Sequence, residues 1–190
     1  MKDNISNKEY KDYLQTISFK ASIYRRFFYF PKLNKHLKGN ILEVGCGIGG
    51  FLSYNKYVVG VDINPELIEV CLNKNLNAMT MNIDELPFDD NSFDSVLLDN
   101  VLEHVETPDK IILEIRRVLK KSGTILISVP GERGYKHDKD HIVFYDEDSL
   151  NKLMIDKNFK IVNNFYTPFK SKYLNKHMRQ YCLHGVFKKK

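Results

Sequence analysis

Residues 41–50, Ile-Leu-Glu-Val-Gly-Cys-Gly-Ile-Gly-Gly, decide the fold of this 190-residue chain. An apolar run that contains Glu43 leads into closely spaced glycines, which let the backbone turn tightly and approach a ligand. This Gly-x-Gly-x-x-Gly pattern is typical of a nucleotide-binding turn between a strand and a helix. A carboxylate at such a turn would repel a pyrophosphate, so we expect a ligand with an ammonium or sulfonium group.

A second β-branched run ends in the carboxylate of Asp62. Asp62 stands about where a ribose-binding acid is found in nucleotide-binding folds. A carboxylate there accepts hydrogen bonds from both ribose hydroxyls and would serve any adenosine ligand.

With these residues the chain resembles the class I S-adenosylmethionine-dependent methyltransferases of the small, single-domain, small-molecule type. The first family motif is matched at 43–49, and later elements are matched at 81–88 (MNIDELPF), 91–94 (NSFD) and 98–105 (LDNVLEHV). The resemblance implies S-adenosyl-L-methionine as the cofactor and methyl transfer as the activity. The residues it assigns to the cofactor are Glu43, Gly45, Cys46, Gly47, Gly49, Asp62, Ile63, Asn82, Ile83 and Asp99.

Two departures from the family pattern affect this site. Asn82 stands where the family commonly has Asp, but an amide oxygen can also accept a hydrogen bond from the adenine amino group. The segment between Gly49 and Val58 is short, which predicts a helix of two turns or less after the glycine turn.

Short apolar runs alternate with helical patterns, which predicts an α/β fold with a doubly wound, Rossmann-like parallel sheet. The resemblance adds a seven-stranded order, 3-2-1-4-5-7-6, with the last strand antiparallel. The ligand then belongs at the carboxyl ends of the strands. Strands are predicted at 40–44, 57–61, 77–81, 94–98, 124–129, 159–166 and 180–187, and helices at 8–30, 65–72, 108–121 and 147–157.

We expect one domain over residues 1–190. It divides into an N-terminal helical lid segment (1–38), a cofactor-binding core (39–130), and a substrate loop with C-terminal strands (131–190). The aromatic-rich helix at 8–30 could contact the cofactor, or it could simply pack against the sheet.

Composition predicts a cytoplasmic protein without a membrane span, because no long apolar run or signal peptide is present. Three widely spaced cysteines argue against a disulfide framework. The net charge is +6 over residues 1–38, −10 over 39–156 and +9 over 157–190. The basic flanks suit an anionic acceptor, or they are a solvated surface that keeps the protein soluble.

Methyl transfer is a direct displacement that depends mainly on alignment and exclusion of water. A hydroxyl acceptor would also need a general base, for which His141 is the first candidate and His104 the second. His141 ends the loop 131–141, which follows the fifth strand and is the predicted substrate region.

The same loop could hold a metal through its histidines and aspartates. The interleaved Lys136 and Lys139 favour a solvated or anion-facing loop instead. We therefore predict no metal.

The acceptor is predicted to be a small molecule, such as a sugar or metabolite, and an anionic, phosphorylated or carrier-linked acceptor stays open. The Asn/Asp-Pro-Pro-Tyr/Phe motif of base-amine methyltransferases is absent after the fourth strand, where residues 99–102 read Asp-Asn-Val-Leu. No base-reading motif is present either, so no nucleic-acid partner is expected. A non-catalytic S-adenosylmethionine-binding protein and, less favoured, an NAD-dependent oxidoreductase stay open. The sequence leaves the oligomeric state unspecified.

Overall fold

One seven-stranded sheet organises residues 19–190, the part of the chain that this computed structural model describes; of residues 19 and 20 only the backbone is described. The strands are β1 (Ile41–Val44), β2 (Val58–Asp62), β3 (Ala78–Thr80), β4 (Phe93–Asp99), β5 (Leu119–Pro130), β6 (Phe159–Thr167) and β7 (Cys182–Lys189). Their order is β3-β2-β1-β4-β5-β7-β6, and β7 runs antiparallel to both of its neighbours. The predicted fold class and strand order are confirmed.

Short helices connect the strands. They are α1 (Phe19–Tyr24), a π-helical turn (Arg25–Tyr29), α2 (Phe30–Asn34), α3 (Gly50–Tyr54), α4 (Pro65–Asn73), a 3₁₀ turn (Leu102–His104), α5 (Asp109–Val118), α6 (Glu132–His137), α7 (Glu147–Asp156) and α8 (Lys172–His177). The short α3 agrees with the predicted length. Among the described residues, no helix has the length and apolar character needed to cross a bilayer.

The alternation of side chains along β1 sends its residues to opposite faces of the sheet. Leu42 and Val44 join the larger buried cluster, which includes the apolar face of α5. Ile41 joins a second cluster with α2 and α3 on the other face. Glu43 shares the parity of Ile41, so its carboxylate points towards the face that the N-terminal helices cover.

Three predicted segments differ in the structure. The helix predicted at 108–121 ends at Val118, because Leu119 is fully buried and pairs with Phe93 at the start of β5. The predicted loop 131–141 contains α6, and the linker between β6 and β7 contains α8. Of the helix predicted at 8–30, residues 1–18 lie outside the described part of the chain.

A buried histidine in β7 makes the fold sensitive to acid. His184 is hydrogen bonded through Nδ1 to Ser128 Oγ (2.8 Å) and through Nε2 to Thr167 Oγ1 (2.8 Å). Burial, with smaller contributions from Lys32 and His36, lowers the pKa of His184 to about 3. The folded protein therefore keeps His184 neutral at pH values where the unfolded chain protonates it.

We expect this histidine to remove about 2 kcal/mol of stability between pH 7.5 and pH 5, since the unfolded state alone gains the proton below its pKa of about 6.5. His184→Gln should unfold more easily at pH 7.5 but lose about 2 kcal/mol less on acidification. Urea unfolding at both pH values measures the difference. The exposed His177→Gln is the control and should keep the wild-type pH dependence, and an unchanged acid response in His184→Gln would contradict the assignment.

Candidate active site

The glycine turn after β1 is held against β2. Gly45 N donates to Val61 O at 2.8 Å, and the φ angles of Gly45, Gly47 and Gly49 are 75°, 55° and 75°. A Cβ at Gly45 would lie 2.4 Å from a methyl group of Val101. The predicted turn therefore requires glycine for its backbone conformation and, at Gly45, for space.

The thiol of Cys46 points into the core beneath this turn. Cys46 is buried, and Cys71 donates its thiol hydrogen to Gly47 O at 3.3 Å. A hydrogen bond with Cys71, together with burial, raises the pKa of the Cys46 thiol. Only the backbone of Cys46 can then face a ligand, and its thiol is poorly suited to act as a nucleophile.

Asp62 lies at the end of β2, beside the turn. Its Oδ2 accepts a hydrogen bond from Gly47 N and its Oδ1 one from Asn64 N, both at 2.9 Å. Burial raises the pKa of Asp62, and these backbone donors oppose the shift. Each carboxylate oxygen keeps a further lone pair that can accept a hydrogen bond from a hydroxyl group.

Two of the predicted cofactor residues, Ile63 and Ile83, have exposed apolar side chains. Ile63 is 53% exposed and Ile83 is 74% exposed. Asn82 is also exposed, and its Nδ2 donates to Glu85 Oε2 at 3.0 Å. Because Asn82 Nδ2 is bonded to Glu85, the Oδ1 atom on the other side of the amide points away from Glu85 and can accept a hydrogen bond.

Asp99, at the end of β4, is bound by the N-terminal helices. Its Oδ2 accepts from Arg25 Nη2 at 2.6 Å, and its Oδ1 accepts from Tyr29 OH at 2.5 Å and Asn100 Nδ2 at 2.9 Å. The Arg25 guanidinium also lies 4.9 Å from the ring centroids of Tyr29 and Phe30. Arg25 and Tyr29 are four positions apart and share one helix face.

The sequence analysis assigns neither Arg25 nor Tyr29 to the site. It predicts only an aromatic helix that either covers the cofactor or packs against the sheet. The available signal was a cation four positions before an aromatic residue that carries a hydroxyl group. Tyr29 in fact packs in the core and also reaches the strand end.

Glu43 brings an unpaired carboxylate to the same edge of the sheet. Its Oε2 is buried and has no hydrogen-bond partner among the described residues. Burial raises the pKa of Glu43 well above its usual range, the negative charge of Asp99 raises it further, and Arg25 opposes both effects. This acidic edge, formed by Glu43, Asp62 and Asp99, can accommodate additional positive charge.

The two candidate bases lie together beyond Asp99. The rings of His104 and His141 are 4.7 Å apart between centroids, and the Nε2 of His141 is 3.8 Å from the Oε1 of Glu103. Burial, followed by the charge of His141, lowers the pKa of His104, while burial raises the pKa of Glu103 well above its usual range. Glu103 was not assigned from the sequence, although it adjoins His104 in the Leu-Glu-His segment. His137 is exposed and is not one of the three residues whose ligand atoms cluster here.

A cavity of about 160 Å³ lies beside the carboxyl end of β5 and the start of β7, which pair with each other. It is lined by Pro130, Tyr145, Tyr166, Lys170 and Tyr181, among other residues. Phe144, also in its wall, contacts Tyr135, which in turn stacks on His141. The cavity is therefore connected to the histidine pair through aromatic side chains.

Comparison with known proteins places the core of the chain among methyltransferase domains. Residues 42–127 match the family described as "Methyltransferase domain". An uncharacterized protein of Methanocaldococcus jannaschii is 38% identical over 98 residues, which are 51% of this chain and 48% of that protein. A tRNA (carboxymethyluridine(34)-5-O)-methyltransferase of Arabidopsis thaliana is 32% identical over 114 residues, or 55% of this chain and 28% of that enzyme. The chain thus spans about half or less of the length of these relatives.

A solved structure has the same fold over nearly the whole chain. It is a SAM-dependent methyltransferase of Thermotoga maritima, described as a possible histamine N-methyltransferase. The two share 20% sequence identity with a TM-score of 0.76, over 97% of this chain and 98% of the other. At this identity the likeness supports the fold alone.

The unpaired carboxyl group of Glu43 should destabilise the protein at high pH. Because the folded pKa is raised, the stability present below the usual carboxyl pKa is lost as the pH rises towards the folded value. We expect Glu43→Gln to raise the free energy of unfolding by about 1–3 kcal/mol at pH 8, with a smaller gain at pH 5. Thermal unfolding at both pH values measures this, and the exposed Glu106→Gln is the matched control. A Glu43→Gln protein no more stable than wild type at pH 8 would show that Glu43 has a partner.

Proposed function

We propose that the chain, whose residues 42–127 match a methyltransferase domain, is a class I S-adenosylmethionine-dependent methyltransferase that transfers a methyl group from S-adenosyl-L-methionine to a small-molecule acceptor. The observation that carries this proposal is the buried, unpartnered carboxylate of Glu43 beside Asp62 and Asp99. A ligand that combines ribose hydroxyls with a sulfonium and an ammonium group fits such an edge, whereas a dinucleotide pyrophosphate would be repelled. This disfavours the NAD-dependent alternative.

The acidic edge and the residues next to it would each contact a different part of the cofactor. Asp62 would accept hydrogen bonds from the ribose, while Ile63 and Ile83 offer apolar surface to the adenine and Asn82 an acceptor for its amino group. The turn at 45–49 lets the backbone approach the ligand closely. Glu43 would face the methionine part with its charge.

Arg25 supplies the one cation bonded to this edge among the described residues. It partly neutralises the acidic edge and is positioned to meet the carboxylate of the methionine part. Tyr29, on the same helix face, holds Asp99 in place through its hydroxyl hydrogen.

S-adenosyl-L-methionine would supply, when bound, a methyl group on a positively charged sulfur. A lone pair of the acceptor would bond to the methyl carbon while the carbon–sulfur bond breaks, and the electron pair of the broken bond would stay on sulfur. The chain's contribution is to hold the two molecules in line and exclude water. An acceptor hydroxyl must also lose its proton. The Nε2 atoms of His141 and His104 are the candidate acceptors of that proton.

The acceptor is proposed to be small and anionic. The cavity of about 160 Å³, which Phe144 and Tyr135 connect to the histidine pair, has Lys170 and Lys172 in its wall together with Asp146 and Glu147. Lys170 is paired with Glu147 and Lys157 with Asp109, so part of the basic C-terminal flank is used within the protein. The named tRNA-modifying relative makes a nucleic-acid acceptor the competing possibility, which the acceptor assay below includes.

Replacing the ribose acid should weaken cofactor binding. We expect Asp62→Asn to lower the affinity for S-adenosylhomocysteine about 10- to 100-fold, because a hydrogen bond to a charged acceptor contributes about 1.5–3 kcal/mol. Isothermal titration calorimetry measures the change. The exposed Asp89→Asn is the control and should bind as wild type does. Equal affinities for Asp62→Asn and wild type would remove Asp62 from the site.

Calorimetry on the wild type, with S-adenosylhomocysteine and NAD in parallel, tests the cofactor. Mass spectrometry then tests activity by following methyl gain in a panel of hydroxylated, aminated and phosphorylated metabolites and in bulk tRNA. Binding of S-adenosylhomocysteine with methylation of a metabolite is the expected result. Methylation of tRNA alone would overturn the small-molecule acceptor. Cofactor binding without methylation of any panel member would favour the non-catalytic alternative.

A further inference from the structure

Three potential metal ligands converge at the histidine pair, in the proposed substrate region. One oxygen of Glu103 and one ring nitrogen each of His104 and His141 lie within 4.8 Å of one another. Glu103 is 1% exposed, and neither of its carboxylate oxygens has a hydrogen-bond partner among the described residues. A buried carboxylate without a donor is costly unless a cation compensates it.

The hydrogen bonds of the two imidazoles fix which nitrogen is free. His104 Nδ1 lies 3.2 Å from Asp140 O, and His141 Nδ1 lies 3.1 Å from Tyr135 O. A carbonyl oxygen can only accept, so Nδ1 carries a hydrogen in both rings, and whenever a ring is neutral its Nε2 carries a lone pair. Metal-binding histidines show this arrangement, in which the second ring nitrogen donates to a backbone carbonyl or a carboxylate.

The free Nε2 of His141 faces an acceptor. It lies 3.8 Å from Glu103 Oε1, and in this tautomer it has no hydrogen to donate. When Glu103 is ionised and His141 is neutral, two lone pairs face each other in a buried place. A cation between them would turn this unfavourable contact into two bonds.

The backbone holds these side chains in place. Glu103 O accepts hydrogen bonds from Ile142 N (2.8 Å) and Val143 N (3.1 Å), which fixes the segment after His141 against the 3₁₀ turn. The ring of Tyr135 stacks on His141 at 5.8 Å with an interplanar angle of 18°. The convergence therefore comes from two separate chain segments, joined by backbone hydrogen bonds.

We propose that Glu103, His104 and His141 bind one divalent first-row transition-metal ion, with Zn²⁺ as the representative. Two imidazole nitrogens and one carboxylate suit such an ion better than Mg²⁺ or Ca²⁺, which prefer oxygen ligands. Bonds of about 2.1 Å place tetrahedral ligand atoms roughly 3.4 Å apart, so small side-chain rotations would close the site.

Three protein ligands leave at least one coordination position open for water or an acceptor oxygen. The role of the ion rests on the proposed function: it would bind the acceptor hydroxyl, favour release of its proton to solvent, and orient the oxygen towards the methyl group. His104 and His141 would then act as ligands instead of proton acceptors. Metal binding itself does not depend on methyl transfer.

The test uses the full chain after removal of metals with a chelator. Calorimetric titration with Zn²⁺ should give one site per chain in the wild type. Glu103→Gln and His141→Gln should each weaken this binding more than about 100-fold, beyond the 10- to 100-fold effect of residues that only support a ligand. His137→Gln, an exposed histidine four positions from His141, is the matched control and should bind as wild type does. Equal Zn²⁺ affinity in wild type and Glu103→Gln, or no binding by the wild type, would overturn the proposal.

A spectroscopic measurement on the wild type needs no variant and covers the case in which a variant misfolds. X-ray absorption of the Zn²⁺-loaded protein should show only nitrogen and oxygen ligands at about 2.0–2.2 Å, with imidazole scattering. A sulfur shell near 2.3 Å would instead indicate cysteine ligands and would refute the assignment.

Titration of the same samples with S-adenosylhomocysteine separates the two proposals. Cofactor binding without a metal site would overturn this inference and leave the methyltransferase assignment standing. Zn²⁺ binding that needs Glu103, in a protein that binds no S-adenosylhomocysteine, would support the metal site and count against the proposed function.

Discussion

The convergence of three carboxylates at one edge of a parallel sheet is the constraint on which the site depends. β1 lies between β2 and β4, with Glu43 in register with Gly60 and Leu97. Because these strands run in the same direction, β2 and β4 place their last residues, Asp62 and Asp99, at one edge of the sheet. The side chain of Glu43 in β1 lies near the same edge. Burial is the main cause of the raised pKa of Glu43, and the like charge of Asp99 raises it further. The arrangement costs stability and is suited to a positively charged ligand.

The N-terminal helices bring a cation and a hydroxyl group to this negative charge. The π-helical turn just before Pro31 lies where a proline disturbs regular α-helical hydrogen bonding. On its face Arg25 and Tyr29 both reach Asp99, while Phe30 and Leu33 of α2 pack in the core. The segment thus combines both roles considered for it, since one aromatic residue packs and also bonds to the strand end.

The histidine pair, in the proposed substrate region, is held together by a different kind of contact. The 3₁₀ turn after β4 and the segment after α6 are joined by backbone hydrogen bonds from residues 142 and 143 to Glu103 O. This junction brings two histidines, 37 positions apart in the chain, to a ring separation of 4.7 Å. The proposed substrate region is therefore assembled from loops on a rigid sheet, an arrangement that would let acceptor specificity vary without changing the proposed cofactor site.

The sequence by itself determined the sheet, its strand order through the family resemblance, the glycine turn and the acidic residues of the strand ends. These depend on local patterns: apolar alternation, positive φ at glycine, and a carboxylate at a strand end. It misplaced the end of α5 at Lys121, because the burial of Leu119 and its pairing with Phe93 outweigh local helical preference. Only the tertiary structure decided that Arg25 and Tyr29 bind Asp99, that the Cys46 thiol faces the core, and that Glu103 joins His104 and His141. Such contacts join residues far apart in the chain, and the pattern around each residue carries no information about which distant partner the fold brings to it.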